Sequence, residues 1–127
     1  MKYFTIAELT TTNTGKPNNP RPSAYANLLS LVDNLLDPLR LAWGSPILVN
    51  SGYRSFAVNK AVGGVANSQH MKGQAVDITA GSLRSNLELF SLLKNRFQFD
   101  QLILEQKGKW IHVSWVDGKN RNEVLYR

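Results

Sequence analysis

Two histidines and one aspartate are the residues of this sequence whose types and spacing suit metal binding. His70 and Asp77 lie seven positions apart, and His112, the second of two histidines, follows in the segment KWIHVSW. Two imidazoles and a carboxylate form a three-ligand set for Zn²⁺, which leaves a fourth position for water as a catalytic site requires. The alternative is two unconnected histidines, one on a surface loop and one satisfied within a strand.

The surroundings of Asp77 favour the metal hypothesis. The segment QAVDIT alternates as a strand does, and this places Asp77 on the same face as the small Ala75. A carboxylate buried there without a partner would be costly, and a cation shared with His70 would remove that cost. The sequence contains no cysteine, which excludes thiolate ligands, disulfides and a thiol nucleophile.

The elements that must carry these side chains follow from hydrophobic periodicity and turn residues. Helices are predicted to begin at Thr5, Ser23, Ser55 and Ser82. Strands are predicted over Ile47–Val49, 74–79, Phe99–Glu105, Trp110–Trp115 and Glu123–Tyr126. The layout is therefore α+β, with helices packed on a small antiparallel sheet that is completed at the C-terminus.

Two of the predicted helices are amphipathic. Leucines at three- and four-residue intervals predict the main core helix from Ser23 to Gly44, and Pro38 predicts a break or kink near Asp37. The helix over Ser82–Arg96 is expected to bury one stripe of side chains. Its members are Leu83, Leu87, Phe90 and Leu93.

Length and composition predict one domain over residues 1–127. The chain has 43% hydrophobic residues, enough for a core, and a formal charge of +6 that is scattered without a long basic run. The charge favours anionic polymers weakly, and we predict no nucleic-acid partner. No apolar stretch approaches a membrane span, and the start MKYFTIAELT has no signal-peptide pattern, so a soluble monomer without its own export signal is expected.

Three segments carry a resemblance to a known family. SQHMKGQAVD at 68–77 resembles the S-x-H-x-x-G-x-A-x-D signature of the M15 zinc peptidases, which are D-alanyl-D-alanine carboxypeptidases and related peptidoglycan endopeptidases. SGYRS at 51–55 and IHVSW at 111–115 resemble two further family segments, in the same order and at similar spacing. The resemblance covers essentially the whole chain and implies a Hedgehog/D-Ala-D-Ala-peptidase-like fold.

The resemblance also implies roles for individual residues. His70, Asp77 and His112 match the residues that hold zinc in the family. Arg54 matches an arginine that meets the substrate carboxylate or the developing oxyanion, tasks that suit a planar, permanently charged group. Ser68 matches a serine near the substrate, although a turn-stabilising hydroxyl explains it nearly as well.

Tryptophans flank the segment that contains the last histidine. Trp115 is predicted to line the substrate cleft, as is Trp110, and packing in the core explains both about equally well.

The general base is the point at which the sequence departs from the family pattern. The family often has Glu or Asp three positions before its last histidine, and this chain has Lys109 there. Glu105 is the candidate replacement. Asp100 and Glu88 are weaker alternatives, because nothing in the sequence connects them to the histidines.

The case for Glu105 depends on strand register. If the chain forms a hairpin across Gln106–Lys109, Glu105 lies opposite Trp110 and diagonal to His112 on the same face, with about 7–8 Å between backbones. A loop that is one residue shorter would turn Glu105 to the other face.

The function expected from these features is a zinc-dependent peptidase that cuts the peptide stem of peptidoglycan. A D,D-carboxypeptidase and an endolysin-type endopeptidase are both compatible with the motifs. The alternative is a catalytically inert zinc-bearing module, for cell-wall binding or in a virion, which the lysine at position 109 favours. Without an export signal, a phage-type enzyme released by other proteins, a virion-borne enzyme or a cytoplasmic peptidase is expected.

Overall fold

The computed structural model describes residues 1–127, and its helices lie at the predicted places, except that the second helix begins at Pro22 after Arg21 and is not capped by Ser23. They are α1 (Ile6–Leu9), α2 (Pro22–Leu31), α3 (Asp37–Trp43), α4 (Phe56–Ala61) and α5 (Leu83–Arg96). The capping box of α1 is present: the Thr5 hydroxyl accepts from the Glu8 amide, and the Glu8 carboxylate accepts from the Thr5 amide. Each of these bonds satisfies an amide that the first helical turn leaves unpaired.

The main core helix does not break at Pro38, so the predicted interruption near Asp37 takes the form of an irregular helical turn. A π-helical turn, Val32–Leu36, joins α2 to α3, and the Asp37 amide donates to the Val32 carbonyl five residues back. Proline lacks an amide hydrogen and crowds the preceding turn, and the wider π turn accommodates both effects while the chain stays helical. The helix ends at Gly44 as predicted, with a φ of 78°.

Five strands form one sheet in the order β1-β2-β4-β3-β5. They are β1 (Leu48–Ser51), β2 (Ala75–Thr79), β3 (Gln101–Glu105), β4 (Trp110–Ser114) and β5 (Glu123–Tyr126). The first four pair antiparallel as predicted, whereas β5 lies parallel to β3. The difference arises because the chain after β4 returns to the start of β3, where the Asn122 and Glu123 amides donate to the carbonyls of Phe99 and Asp100.

One face of the sheet builds the core against the helices. Its fully buried side chains alternate along the strands and include Val76, Ile78, Leu102, Ile111 and Val113. Helix α5 also packs on the core, but not through the whole predicted stripe. Leu83 and Leu87 are exposed, and the buried positions are Asn86, Leu89, Phe90 and Leu93.

The opposite face of the sheet carries the polar side chains that could do chemistry. Asp77 of β2 pairs with His112 of β4, which pairs with Ile103 of β3, so these three side chains form a row across the sheet. Ser51 at the end of β1 lies opposite Asp77 on the other side. None of the helices combines the length and apolar character needed to cross a bilayer.

Candidate metal centre

The three predicted metal ligands lie together. Asp77 and His112 meet because β2 and β4 pair in register, and a 3₁₀ turn, Gln69–Lys72, carries His70 to the same place. The Asp77 Oδ1 atom lies 3.0 Å from His112 Nδ1 and 3.5 Å from His70 Nε2. One ligand atom from each residue falls within a mutual distance of 4.8 Å.

His70 is held in one orientation by its surroundings. Its Nδ1 lies 2.8 Å from the Gly52 carbonyl oxygen, which accepts a hydrogen bond from the Nδ1–H group, so Nε2 carries the free lone pair of the neutral imidazole. The Ser68 hydroxyl accepts from the His70 amide and caps the turn. Gly73 ends the turn at a φ of 72°, and a Cβ there would lie 2.3 Å from the Ala24 carbonyl oxygen. Glycine is therefore required on both counts.

The carboxylate of Asp77 is ionised despite its position. Burial opposes the charged form, but hydrogen bonds with His112 and His70, together with their charges, outweigh burial and hold the pKa of Asp77 well below its usual range. The other carboxylate oxygen, Oδ2, lies 3.4 Å from Arg54 Nη2. The site thus presents an anionic oxygen between two imidazoles.

The side chain of Arg54 is held by contacts with other side chains and is not that of a solvated loop residue. Its side chain is 17% exposed, and Nε donates to the Ser51 hydroxyl at 3.1 Å while Nη1 donates to the Asn59 amide oxygen at 3.4 Å. With Nη2 facing Asp77, the guanidinium is fixed along three directions at the edge of the cluster. A group held in this way has little orientational freedom to lose when a ligand arrives.

The donor set fits a zinc ion. Tetrahedral Zn²⁺ bonded at about 2.0–2.2 Å separates neighbouring ligand atoms by roughly 3.3–3.6 Å. In this structure Asp77 Oδ1 lies 3.0 Å from His112 Nδ1 and 3.5 Å from His70 Nε2. Imidazole nitrogen and carboxylate oxygen are ligands that zinc accepts, and the Gly52 carbonyl supplies the outer hydrogen bond that orients such a histidine.

Glu105 has the predicted register. It pairs with Trp110, and the neighbouring pair is Ile103 with His112, so Glu105 lies on the same face as the histidine. Both residues line a cleft of about 260 Å³, whose wall also includes Ser68 and Gln69. The side chain of Glu105 makes no hydrogen bond or ion pair within the protein. Its role as a base stays a prediction.

The other acidic candidates form ion pairs with arginines. Asp100 is buried and accepts from two guanidinium nitrogens of Arg121 at 2.8 Å each, and these bonds, the largest influence on it, lower its pKa to about 2. Glu88 is exposed and pairs with Arg84 one helical turn away. Lys109 lines a separate cleft beside the start of α5 and not the one that contains His112.

Trp115 is not brought to this cleft. Its ring packs against the hydrophobic core, and its indole nitrogen donates to Asp117 at 2.6 Å. Trp115 follows the last residue of β4 and does not line the cleft, whereas Trp110 lies within β4 on the face of His112. The structure therefore gives Trp115 a packing role, and contact with substrate has no support from its position.

Sequence reasoning missed several polar residues around the cleft. The Gln69 amide donates to Asp100 at 2.8 Å, which ties the turn carrying His70 to the start of β3, and the Gln69 Oε1 atom is buried without a partner. Gln101 and Arg127 also line the cleft. Period-two alternation from Glu105 would have found Gln101, but no local signal marks Arg127.

A His–Asp–His cluster beside a polar cleft and a fixed guanidinium is an arrangement typical of metal-dependent hydrolases. The Peptidase M15 family model matches residues 2–114, so the chain belongs to this family, as the sequence motifs indicated. It is similar to the zinc D-Ala-D-Ala carboxypeptidase of Streptomyces albus G, with 43% identity over 81 residues. That alignment covers 62% of this chain and 32% of the relative, so the chain spans about a third of the relative's length.

Proposed function

We propose that this chain is a zinc peptidase that hydrolyses a peptide bond in the stem of bacterial peptidoglycan. The observation that carries the proposal is the convergence of His70, Asp77 and His112, with one ligand atom each within 4.8 Å, on a chain of the M15 family. The donor set and the zinc peptidase relative together support Zn²⁺ as the cofactor. When bound, zinc lowers the pKa of a water molecule and polarises a carbonyl group.

The residues around the cluster divide the remaining work. Glu105 accepts the proton of the attacking water and passes it to the leaving amine, because it is the carboxylate that lines the cleft beside His112. Arg54 donates to the substrate oxygen that gains negative charge, or to a free substrate carboxylate. The Ser68 hydroxyl positions His70 by accepting a hydrogen bond from the His70 backbone amide, and Ser68 forms part of the substrate-facing wall.

The bond that we propose is the terminal D-Ala–D-Ala bond. A carboxypeptidase needs a cation for the free C-terminus of its substrate, and Arg54 is such a cation at the edge of the cluster. The name of the similar carboxypeptidase supports the same bond. An endolysin-type endopeptidase would instead accept chain on both sides of the scissile bond.

An inert wall-binding or virion module is the second candidate, and Lys109 is the observation that favours it. Phage-type release, virion association and a monomeric state stay predictions. Mass spectrometry of defined stem peptides incubated with the zinc-loaded protein distinguishes the candidates. We expect release of terminal D-Ala by the wild type, loss of release with Glu105→Gln, and no change with Glu88→Gln, which removes an exposed carboxylate away from the cleft.

Zinc content distinguishes a variant that has lost its folded metal centre from one that keeps the centre but does not cleave the substrate. Plasma mass spectrometry should find about one zinc per chain in the wild type and in Glu105→Gln, and much less in His70→Ala. Zinc binding by the wild type without cleavage of any stem peptide would favour the inert module. Cleavage that persists in Glu105→Gln would remove this residue from the mechanism.

A further inference from the structure

The cleft beside His112 contains a cation that the proposed reaction does not use. Arg127 lines this cleft together with Glu105, Gln101 and Asn67. The wall is mostly polar, with amide groups that can pair with a peptide backbone, and two aliphatic residues complete it. A polar cleft with a guanidinium is suited to an extended, anionic peptide.

The backbone of Arg127 is held by hydrogen bonds, whereas its guanidinium has no partner within the protein. Its amide donates to the Leu104 carbonyl at 2.9 Å, and its carbonyl accepts from the Gln106 amide at 2.7 Å. The guanidinium forms no ion pair or hydrogen bond within the protein. The carboxylate of Glu123 accepts a hydrogen bond from the Gln101 amide at 2.6 Å. The carboxylate of Glu105 forms no ion pair with Arg127.

The order of the strands places Arg54 and Arg127 on opposite sides of the metal cluster. Arg54 follows β1 and contacts Asp77 on β2, His112 lies on β4, and Arg127 follows β5 beyond β3. Two strand spacings and an offset of two residues along the strands separate His112 from Arg127, which is roughly 12 Å between their backbones. An extended peptide advances about 3.3–3.6 Å per residue, so this distance corresponds to about three residues.

We propose that Arg127 determines substrate specificity by binding a free carboxylate on the acyl side of the scissile bond, two or three residues before it. This inference rests on the proposed function, because it takes the reacting carbonyl to lie at the His–Asp–His cluster and Arg54 to face the leaving group. The favoured substrate is a stem peptide whose carboxylate at that position is free. The corresponding carboxamide binds less well, because it offers a guanidinium neither the negative charge nor the bidentate oxygens.

The test compares two stem peptides that differ only in a carboxylate or a carboxamide on the acyl side. We expect wild-type kcat/KM to favour the carboxylate by about fivefold, the upper range of an ion pair with an exposed cation, because Arg127 is exposed to solvent. Arg127→Gln should remove that preference by slowing the carboxylate peptide alone, and Arg127→Lys should keep part of it. Arg84→Gln, which removes an exposed positive charge on α5, is the matched control and should leave the preference intact.

Binding to a protein without turnover keeps this inference separate from the proposed function. Calorimetric titration of zinc-loaded Glu105→Gln with the same two peptides should show the same preference, and Arg127→Gln in that background should abolish it. If Glu105→Gln binds the carboxylate peptide more tightly but the wild type cleaves neither peptide, the role of Arg127 is supported and the proposed function is refuted. Equal affinities for the two peptides, or an equal loss for both with Arg127→Gln, would overturn the role of Arg127.

Discussion

Gly73 ends the turn that carries His70, and replacing it by alanine should damage both the fold and the metal centre. Its φ of 72° lies in the left-handed region, where an alanine costs about 1–2 kcal/mol. The new Cβ would also lie 2.3 Å from the carbonyl oxygen of Ala24, a buried residue of α2. Relieving such overpacking costs about 1–3 kcal/mol, so the total destabilisation expected is about 2–5 kcal/mol.

Gly63 provides a control with nearly the same backbone conformation. Its φ is 73°, but a Cβ there would have no atom within 4 Å. Gly63→Ala should therefore cost only the conformational part, about 1–2 kcal/mol. Urea unfolding at fixed zinc concentration measures both variants, and zinc titration with a competing chelator should show about tenfold weaker binding for Gly73→Ala alone. Equal destabilisation by the two substitutions would refute the contact with α2 as the reason for this glycine.

Three further perturbations test the electrostatics of the chain. Chelation of zinc should lower the free energy of unfolding by about 2.7 kcal/mol relative to protein at 100 times the zinc Kd, and His112→Ala should abolish that difference in thermal unfolding. Arg54→Lys should lower kcat/KM about 100-fold with zinc content unchanged, because the lysine cannot keep the three-directional contact; unchanged kinetics would contradict this. The lowered pKa of Asp100, about 2 beside Arg121, stabilises the fold above about pH 4, and this stabilisation is lost as the pH falls from about 4 to about 2. Asp100→Asn should reduce that acid-dependent loss, seen in urea unfolding between pH 2 and 6, by about 1–2 kcal/mol.

The elements that the sequence predicted well are those set by local chemistry. The capping box at Thr5, the helix end at Gly44 and the starts of α4 and α5 at Ser55 and Ser82 each involve residues close in sequence. The pairing of Glu105 with Trp110 was also predictable, because the length of the loop between β3 and β4 fixes the register.

The features that were missed depend on distant parts of the chain. The parallel pairing of β5 follows from where the connection after β4 returns, and no pattern within Glu123–Tyr126 encodes this direction. Arg127 reaches the cleft as a consequence of that pairing. The exposure of Leu83 likewise reflects the end of the sheet, since this side chain covers the turn at Gly108 and not the core.

The metal centre and the core depend on the same strand register. In β2, Val76 and Ile78 are fully buried on one face, and Asp77 between them must point to the other face. A slip of one residue would place the carboxylate in the core and expose two side chains, each of which contributes about 1.5–3 kcal/mol when buried. His112 stands in the same relation to Ile111 and Val113 in β4. Hydrophobic packing on one face of the sheet therefore fixes the positions of two of the three proposed ligands on the other face.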